Sequence, residues 1–279
     1  MRIALTGASG FIGRHVLREL LERDIAVVAI TRDNTQLAEF EGRVQIVEFD
    51  LANVGEHTFD HLGRPDVLLH LAWDGLPSYR SLYHFEHELP RQYNFLHQMV
   101  AQGLRSLVVT GTCFEYGMQS GPLTEDEKTR PANPYGFAKD VLRQQLEYLK
   151  QQRSYSFTWA RLFYTYGEGQ PETSLLPQLK KAVAQGVQQF NMSGGEQLRD
   201  YLPIGDVARY LVILALKQQD IGLINICSGK PQSVRGLVEQ WLVENNWDIK
   251  LNLGHYPYPD YEPMAFWGER HKLNAVLEG

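Results

Sequence analysis

The sequence predicts a doubly wound α/β fold, a parallel sheet covered by helices on both faces, with a smaller region toward the C-terminus. Three observations carry this. Apolar, β-branched runs recur along the first part of the chain; segments of helical periodicity lie between several of them; and a glycine-rich turn joins the first run to the first helix. The runs are continuously apolar rather than alternating, as expected of strands buried on both faces.

In order, the strands are RIALT (2–6), IAVVAIT (25–31), VQIVEF (44–49), DVLLHLA (66–72), RSLVVTG (105–111) and YSFTWAR (155–161). Residues 11–23 read as a helix, with Val16 facing Leu20 and Leu17 facing Leu21. After about residue 165 the alternation weakens through GEGQPE and, later, HYPYPDYEP. Two helices still stand out, one with Asp206 as its N-cap running through VARYLVILALK, the other starting near Ser233. Between them GLINICSG reads as a further strand. The main unit is therefore expected to span 1–165, with the chain returning to it at about 200–229. Residues 166–199 and 230–279 form the second region.

A chain of 279 residues, 43% of them hydrophobic, can bury a large core. A formal charge of −6 without a long Lys/Arg run argues against nucleic acid or an anionic membrane as partner. Cys113 and Cys227 fit neither a disulfide framework nor zinc spacing, which points to a reducing compartment. No signal peptide or spanning apolar run is evident, so a soluble, cytoplasmic protein is expected. His84 and His87 have helical spacing but no convincing third ligand, so no metal site is assigned. Cys113 reads as a packed side chain rather than a nucleophile.

The glycine turn is GASGFIG, residues 7–13. Strand, glycine turn and helix in that order form a dinucleotide-binding context. Gly7 permits the tight turn, Gly10 lets the backbone approach a pyrophosphate, and Gly13 lets the helix pack closely. Phe11 and Ile12 open the helix whose N–H groups face the phosphates. At the end of the second strand, Thr31 and Arg32 stand where an acidic ribose ligand would select NAD(H). Arg32 can pair with a 2′-phosphate, so NADP(H) is preferred; Asp33, one residue on, leaves NAD(H) open. Asp50 and Leu51, after the third strand, are expected to border the adenine.

The stretch ANPYGFAKDVL (132–142) sets a phenol and an ammonium four residues apart, with Tyr135 and Lys139 on one helical face. That face continues through Leu142, Leu146 and Leu149 and so turns inward. Pro134 suits the first turn of the helix.

With GASGFIG, TGTCFEYG and YGFAK together, the chain resembles the extended short-chain dehydrogenase/reductase family, particularly its enzymes that modify nucleotide-linked sugars. The resemblance covers nearly the whole chain and includes HLAW (70–73), LRDYLPIGDVA (198–208) and NICSG (225–229). It implies a Rossmann sheet, with the second region binding substrate. Leu71 and Ala72 fall at the expected cofactor edge. Thr112, Tyr135 and Lys139 correspond to the family's catalytic hydroxyl, tyrosine and lysine. Tyr135 would pass a proton to or from the substrate oxygen, its acidity raised by the Lys139 ammonium. Lys139 would also hold ribose hydroxyls, and Thr112 would hydrogen-bond the substrate oxygen. A homodimer is implied by the same analogy.

Side residues choose among the family's reactions. Cys113 and Phe114 follow Thr112 where the 4,6-dehydratases carry an acidic pair, and Phe114 stands where fucose-forming epimerase-reductases carry cysteine. An NADPH-dependent reductase of a nucleotide-linked 4-keto-6-deoxyhexose, supplying surface polysaccharide, is the expectation. An NAD-dependent 4-epimerase and a non-catalytic dinucleotide sensor are the alternatives. Arg199 is the candidate for the substrate diphosphate, its competing role being a salt bridge to Asp200 or Asp206. Pro177 resembles the nucleotide-pocket segment. In ARLFYTYG, Tyr164 replaces the family's usual asparagine, so contacts there are not carried over. The tract HYPYPDYEPMAFWGERHKL is open between a stacking surface for sugar or base and a proline-stiffened lid or packing segment.

Overall fold

A computed structural model describes residues 1–279. The first half runs β1 (Arg2–Thr6), α1 (Phe11–Glu22), β2 (Ala26–Thr31), β3 (Gln45–Glu48), α2 (Thr58–His61), β4 (Val67–His70), α3 (Leu89–Ala101), β5 (Ser106–Thr112) and β6 (Gly121–Leu123). Next come α4 (Pro134–Gln152), β7 (Ser156–Leu162), β8 (Tyr164–Tyr166), α5 (Leu175–Ala184), β9 (Gln189–Asn191), β10 (Leu198–Pro203) and α6 (Ile204–Lys217). The chain ends with β11 (Gly222–Ile226), β12 (Pro231–Ser233), α7 (Val234–Asn245), β13 (Lys250–Asn252), β14 (Phe266–Gly268) and α8 (His271–Glu278).

Seven strands form one wholly parallel sheet in the order β11-β7-β5-β4-β1-β2-β3. All seven apolar runs of the sequence supply them. Alternate residues feed opposite faces: Ile3 and Leu5 enter the core beneath α1 and α6, while Ala4 enters the core that α3 and α4 close. Strand order reverses between β1 and β4, and the crevice beyond their carboxyl ends is where such folds bind ligands.

Helix α4 shows how the sequence aims a side chain into that crevice. Asn133 caps it, its Oδ1 accepting from the Gly136 N–H at 2.8 Å, and Pro134 occupies the first turn. Leu142, Leu146 and Leu149 are buried on its inner face, each contributing about 1.5–3 kcal/mol by leaving water. Tyr135 and Lys139 lie on the same buried face, toward the N-terminal end.

Three small sheets lie outside the main one. Strands β8, β10 and β12 form one, β9 pairs with β13, and β6 with β14. Leu176 and Leu179 of α5 meet Leu237, Val238 and Trp241 of α7 in a separate apolar cluster.

Three expectations are corrected. Asp206 is not an N-cap: α6 starts at Ile204, which is buried in the main core, and Asp206 sits in the first turn paired with Arg209 at 2.7 Å. The return to the main unit, expected at about 200, begins later: β10 belongs to the small sheet of β8, β10 and β12, and α6 and β11 are what return. The last helix does not stay with the second region, since Leu273 of α8 is buried in the core beneath α1 and α6. No helix is long and apolar enough to cross a membrane.

Candidate active site

Between the ends of β1, β2, β3 and β4 lies a cavity of about 210 Å³. Gly7 and Gly10 floor it, and Leu71 and Ala72 line it from the end of β4. Thr31, Arg32, Asp50 and Leu51 line its outer side. The Thr6 hydroxyl accepts from the N–H groups of Leu71 (3.2 Å) and Ala72 (3.3 Å), drawing the two strand ends together. Gly7 has φ +69°, and a Cβ there would meet the Ala72 nitrogen at 2.9 Å. At Gly13 a Cβ would fall 2.1 Å from the Gly7 carbonyl oxygen, so only glycine lets α1 start against the turn. Phe11 and Ile12 pack part-buried on the core below. A cavity walled by bare backbone and the N-terminus of α1 fits a dinucleotide pyrophosphate.

Arg32 lies at this cavity but is not free. Its Nη1 and Nη2 donate to the two carboxylate oxygens of Asp74 at 2.7 and 3.0 Å, and Arg91 Nη2 donates to the same carboxylate at 2.8 Å. Asp33 is turned away as a local cap, accepting from the Thr35 N–H at 3.0 Å.

Thr112, the last residue of β5, and Tyr135 and Lys139 of α4 are all buried, with Lys139 bonded to Thr110 of the same strand. The Thr112 hydroxyl accepts from the Phe114 N–H at 3.3 Å and is near enough to the Tyr135 phenol to favour its anion slightly. Below it, the Thr112 N–H donates to Glu115 Oε1 at 2.8 Å. Glu115 in turn accepts from Trp159 Nε1 (3.0 Å) and pairs with Arg161 Nε (2.8 Å), both Glu115 and Arg161 being wholly buried. The phenol of Tyr135 is ringed by Trp73, Tyr79, His84 and Phe114, with centroids 5.3–6.2 Å away.

The acidity expected of this phenol is reversed. Burial pushes Tyr135 up, Tyr79 and Glu115 push it further, and the Thr112 hydrogen bond offsets only part. The Lys139 ammonium is occupied elsewhere, donating to the Thr110 carbonyl at 2.9 Å and lying 4.1 Å from the Trp73 ring centroid. Burial lowers Lys139 to about 8, against a smaller upward pull from Glu115 and Glu88. Burial likewise pushes the Cys113 thiol up, as befits a packed side chain.

Arg199 is buried, and its partner is neither Asp200 nor Asp206. Its Nε and Nη2 donate to Glu262 Oε2 at 3.1 and 2.8 Å, and its guanidinium lies 4.7 Å from the Phe266 centroid. Asp200 instead accepts from the N–H groups of Ser228 (2.6 Å) and Gly229 (2.9 Å). The aromatic tract thus acts at least as a packing strap: Tyr261 lies against Tyr79 and Phe114, and Asp260 pairs with Arg80. Pro177 lies part-buried in the first turn of α5, away from these contacts in sequence and beside the buried Leu176.

Residues 3–227 match the model of the NAD dependent epimerase/dehydratase family. The chain belongs to that family. It is an enzyme of the NAD(P)-dependent oxidoreductase type, which sets the sensor alternative aside. As a member of the NAD-dependent epimerase/dehydratase family it is 32% identical over 272 residues to a protein of Aggregatibacter actinomycetemcomitans named dTDP-6-deoxy-L-talose 4-dehydrogenase (NAD(+)), covering 97% of this chain and all of that one. The UDP-glucose 4-epimerase of Halalkalibacterium halodurans is 24% identical, with 99% of this chain and 90% of that one covered. Among solved structures, MoeE5 in complex with UDP-glucuronic acid and NAD superposes with a TM-score of 0.83 at 26% identity, covering 100% and 93% of the two chains.

Sequence reading missed Asp74, Arg91, Glu115 and Glu262. Asp74 directly follows the HLAW motif, and Glu115 lies three residues beyond Thr112 in a capping-box pattern, which is the one available signal. Asp74 and Glu262 reach arginines 42 and 63 residues away, which no local pattern encodes.

Proposed function

We propose that this protein interconverts a ketone and a carbinol at C4 of a nucleotide-linked 6-deoxyhexose, working as a 4-ketoreductase. The observation that carries the reading is the packing of Tyr135 and Lys139, near Thr112 at the end of β5, against Trp73, a residue that also lines the glycine-walled cavity. Bound nicotinamide supplies a hydride to the carbonyl carbon or takes one from the carbinol. Tyr135 gives its proton to the carbonyl oxygen during reduction. Its raised pKa keeps the phenol protonated, which suits a proton donor. Thr112 donates a second hydrogen bond to that oxygen as charge develops. The name of the Aggregatibacter relative describes oxidation at C4 of a 6-deoxyhexose, the same step in the opposite sense.

Arg199 is taken as the ligand of the substrate diphosphate, an anion that has to displace Glu262 or share the guanidinium with it. A homodimer through the open side of α4, where Phe137 and Tyr148 are exposed, accompanies the reading. The purified enzyme with a dTDP-, UDP-, GDP- or CDP-linked 4-keto-6-deoxyhexose is expected to consume reduced nicotinamide stoichiometrically. The 4-epimerase reading, which the Halalkalibacterium relative supports, requires isomerisation of the sugar with no net change in nicotinamide absorbance. That result would replace the reductase.

The pH dependence follows from Lys139. Its ammonium is charged below about 8 and neutral above, so its grip on ribose hydroxyls weakens as pH rises through that value. kcat/KM for the cofactor, which reports the free enzyme, is expected to fall on an alkaline limb near 8. Lys139→Met should lower the plateau and abolish that limb; a limb that persists in the variant assigns it to another group.

A further inference from the structure

We infer that Asp74 sets the cofactor preference, cancelling Arg32 so that the cavity takes the dinucleotide without a 2′-phosphate. Arg32 alone reads as a phosphate clamp. In the folded chain both of its terminal nitrogens are spent on Asp74 in a fork-to-fork pair at 2.7 and 3.0 Å. Arg91 adds its own donation to Asp74 at 2.8 Å and also pairs with Glu88 at 2.6 Å. Burial alone would lower the Arg91 pKa, but Asp74 and Glu88 outweigh it and raise it further, so Arg91 stays charged. Two guanidiniums therefore face two carboxylates and the cluster is balanced.

The position of Asp74 is built in from behind. Its backbone N–H donates to Glu88 Oε1 at 2.9 Å, and Gln92 Nε2 donates to the same oxygen at 2.6 Å. Glu88 and Gln92 are both wholly buried, so the loop carrying Asp74 is anchored to α3 and its neighbouring turn rather than drifting over the cavity. Arg32, Asp74 and Arg91 line the cavity that also holds Gly7, Gly10 and Asp50. A 2′-phosphate brings about two negative charges to this wall. It has to break the pair to Arg32 or sit against the Asp74 carboxylate. A ribose hydroxyl carries no charge and needs only an acceptor, which the same carboxylate offers. The device differs from an acidic residue ending β2, because the discriminating carboxylate comes from beyond β4.

The inference rests on the cavity holding the adenosine half of the cofactor, and the test reads that directly. Binding of 5′-ADP and of 2′,5′-ADP to the purified full chain is measured by calorimetry at low ionic strength, without turnover. The unsubstituted protein should favour 5′-ADP by about tenfold or more. Asp74→Asn, which keeps the backbone link to Glu88, should raise 2′,5′-ADP affinity by about tenfold while 5′-ADP changes less than about threefold. Arg32→Ala in the Asp74→Asn background should erase that gain. Because Arg32 is largely exposed, Arg32→Ala alone should fold and leave 2′,5′-ADP affinity within about threefold. The proposal is overturned if the unsubstituted protein prefers 2′,5′-ADP, if Asp74→Asn leaves the ratio unchanged, or if Arg32→Ala alone costs 2′,5′-ADP tenfold. If neither nucleotide binds, it falls together with the reading of the cavity, whereas binding without sugar turnover removes only the proposed reaction.

Discussion

Replacing Tyr135 with phenylalanine is expected to lower kcat for the proposed C4 reduction by about 10²–10⁴-fold, the range that a positioned general acid contributes. The ring keeps its packing against Trp73, Tyr79, His84 and Phe114, so the variant loses only the hydroxyl. Stability should change by about 1 kcal/mol. KM for the sugar nucleotide should move little, because the missing interaction strengthens at the transition state rather than on binding. Steady-state assay beside a thermal melt separates these effects. A variant within tenfold of the parent in kcat removes Tyr135 from the chemistry. Thr112→Ser is the matched control: it keeps a hydroxyl to cap Phe114 and face the phenol, and should retain most of the activity.

What could be read from sequence divides along a physical line. The strands were legible because a strand buried on both faces has to be apolar at every position, and β5 is buried throughout its seven residues. The glycine turn was legible because its requirement is local: a positive φ at Gly7 and no room for a Cβ at Gly13. The start of α6 was misread because an aspartate at 206 satisfies the capping rule. Ile204 is drawn into the core two residues earlier, and burial outweighs a cap worth about 1 kcal/mol. Arg32 and Arg199 were found as cations, but their partners were not. A carboxylate brought in by the fold from far along the chain can change a cation from a free ligand into a neutral pair, and spacing carries no trace of it. The Tyr135 pKa failed for a related reason: i, i+4 spacing put the ammonium on the right face, yet Lys139 turns to Thr110 and Trp73, leaving burial to dominate.

Glu115→Ala should be the most damaging single change outside the reacting groups. The carboxylate is wholly buried and accepts from the Thr112 N–H, the Trp159 indole and Arg161. Truncation leaves the Arg161 guanidinium uncompensated in the interior, at a cost of about 3–5 kcal/mol. Two further buried donors lose their acceptor, so the loss is a large part of a typical folding stability of about 5–15 kcal/mol. A fall of about 10 °C in melting temperature, or failure to accumulate folded protein, is the expected result. A melt within 2 °C of the parent would mean that water or a neighbour replaces the carboxylate (about 1 kcal/mol or less). The double change Glu115→Leu with Arg161→Met separates stability from positioning. Removing both charges avoids the orphaned cation, and apolar replacement of a buried pair is often neutral in stability. It still deletes the acceptor that holds the Thr112 N–H at 2.8 Å. A double variant that melts near the parent yet has lost activity, with the loss in kcat rather than KM, is therefore expected. It would identify Glu115 as a positioning residue, fixing the end of β5 so that the Thr112 hydroxyl meets the phenol. Recovery of parental activity in that variant would reduce Glu115 and Arg161 to a purely structural pair.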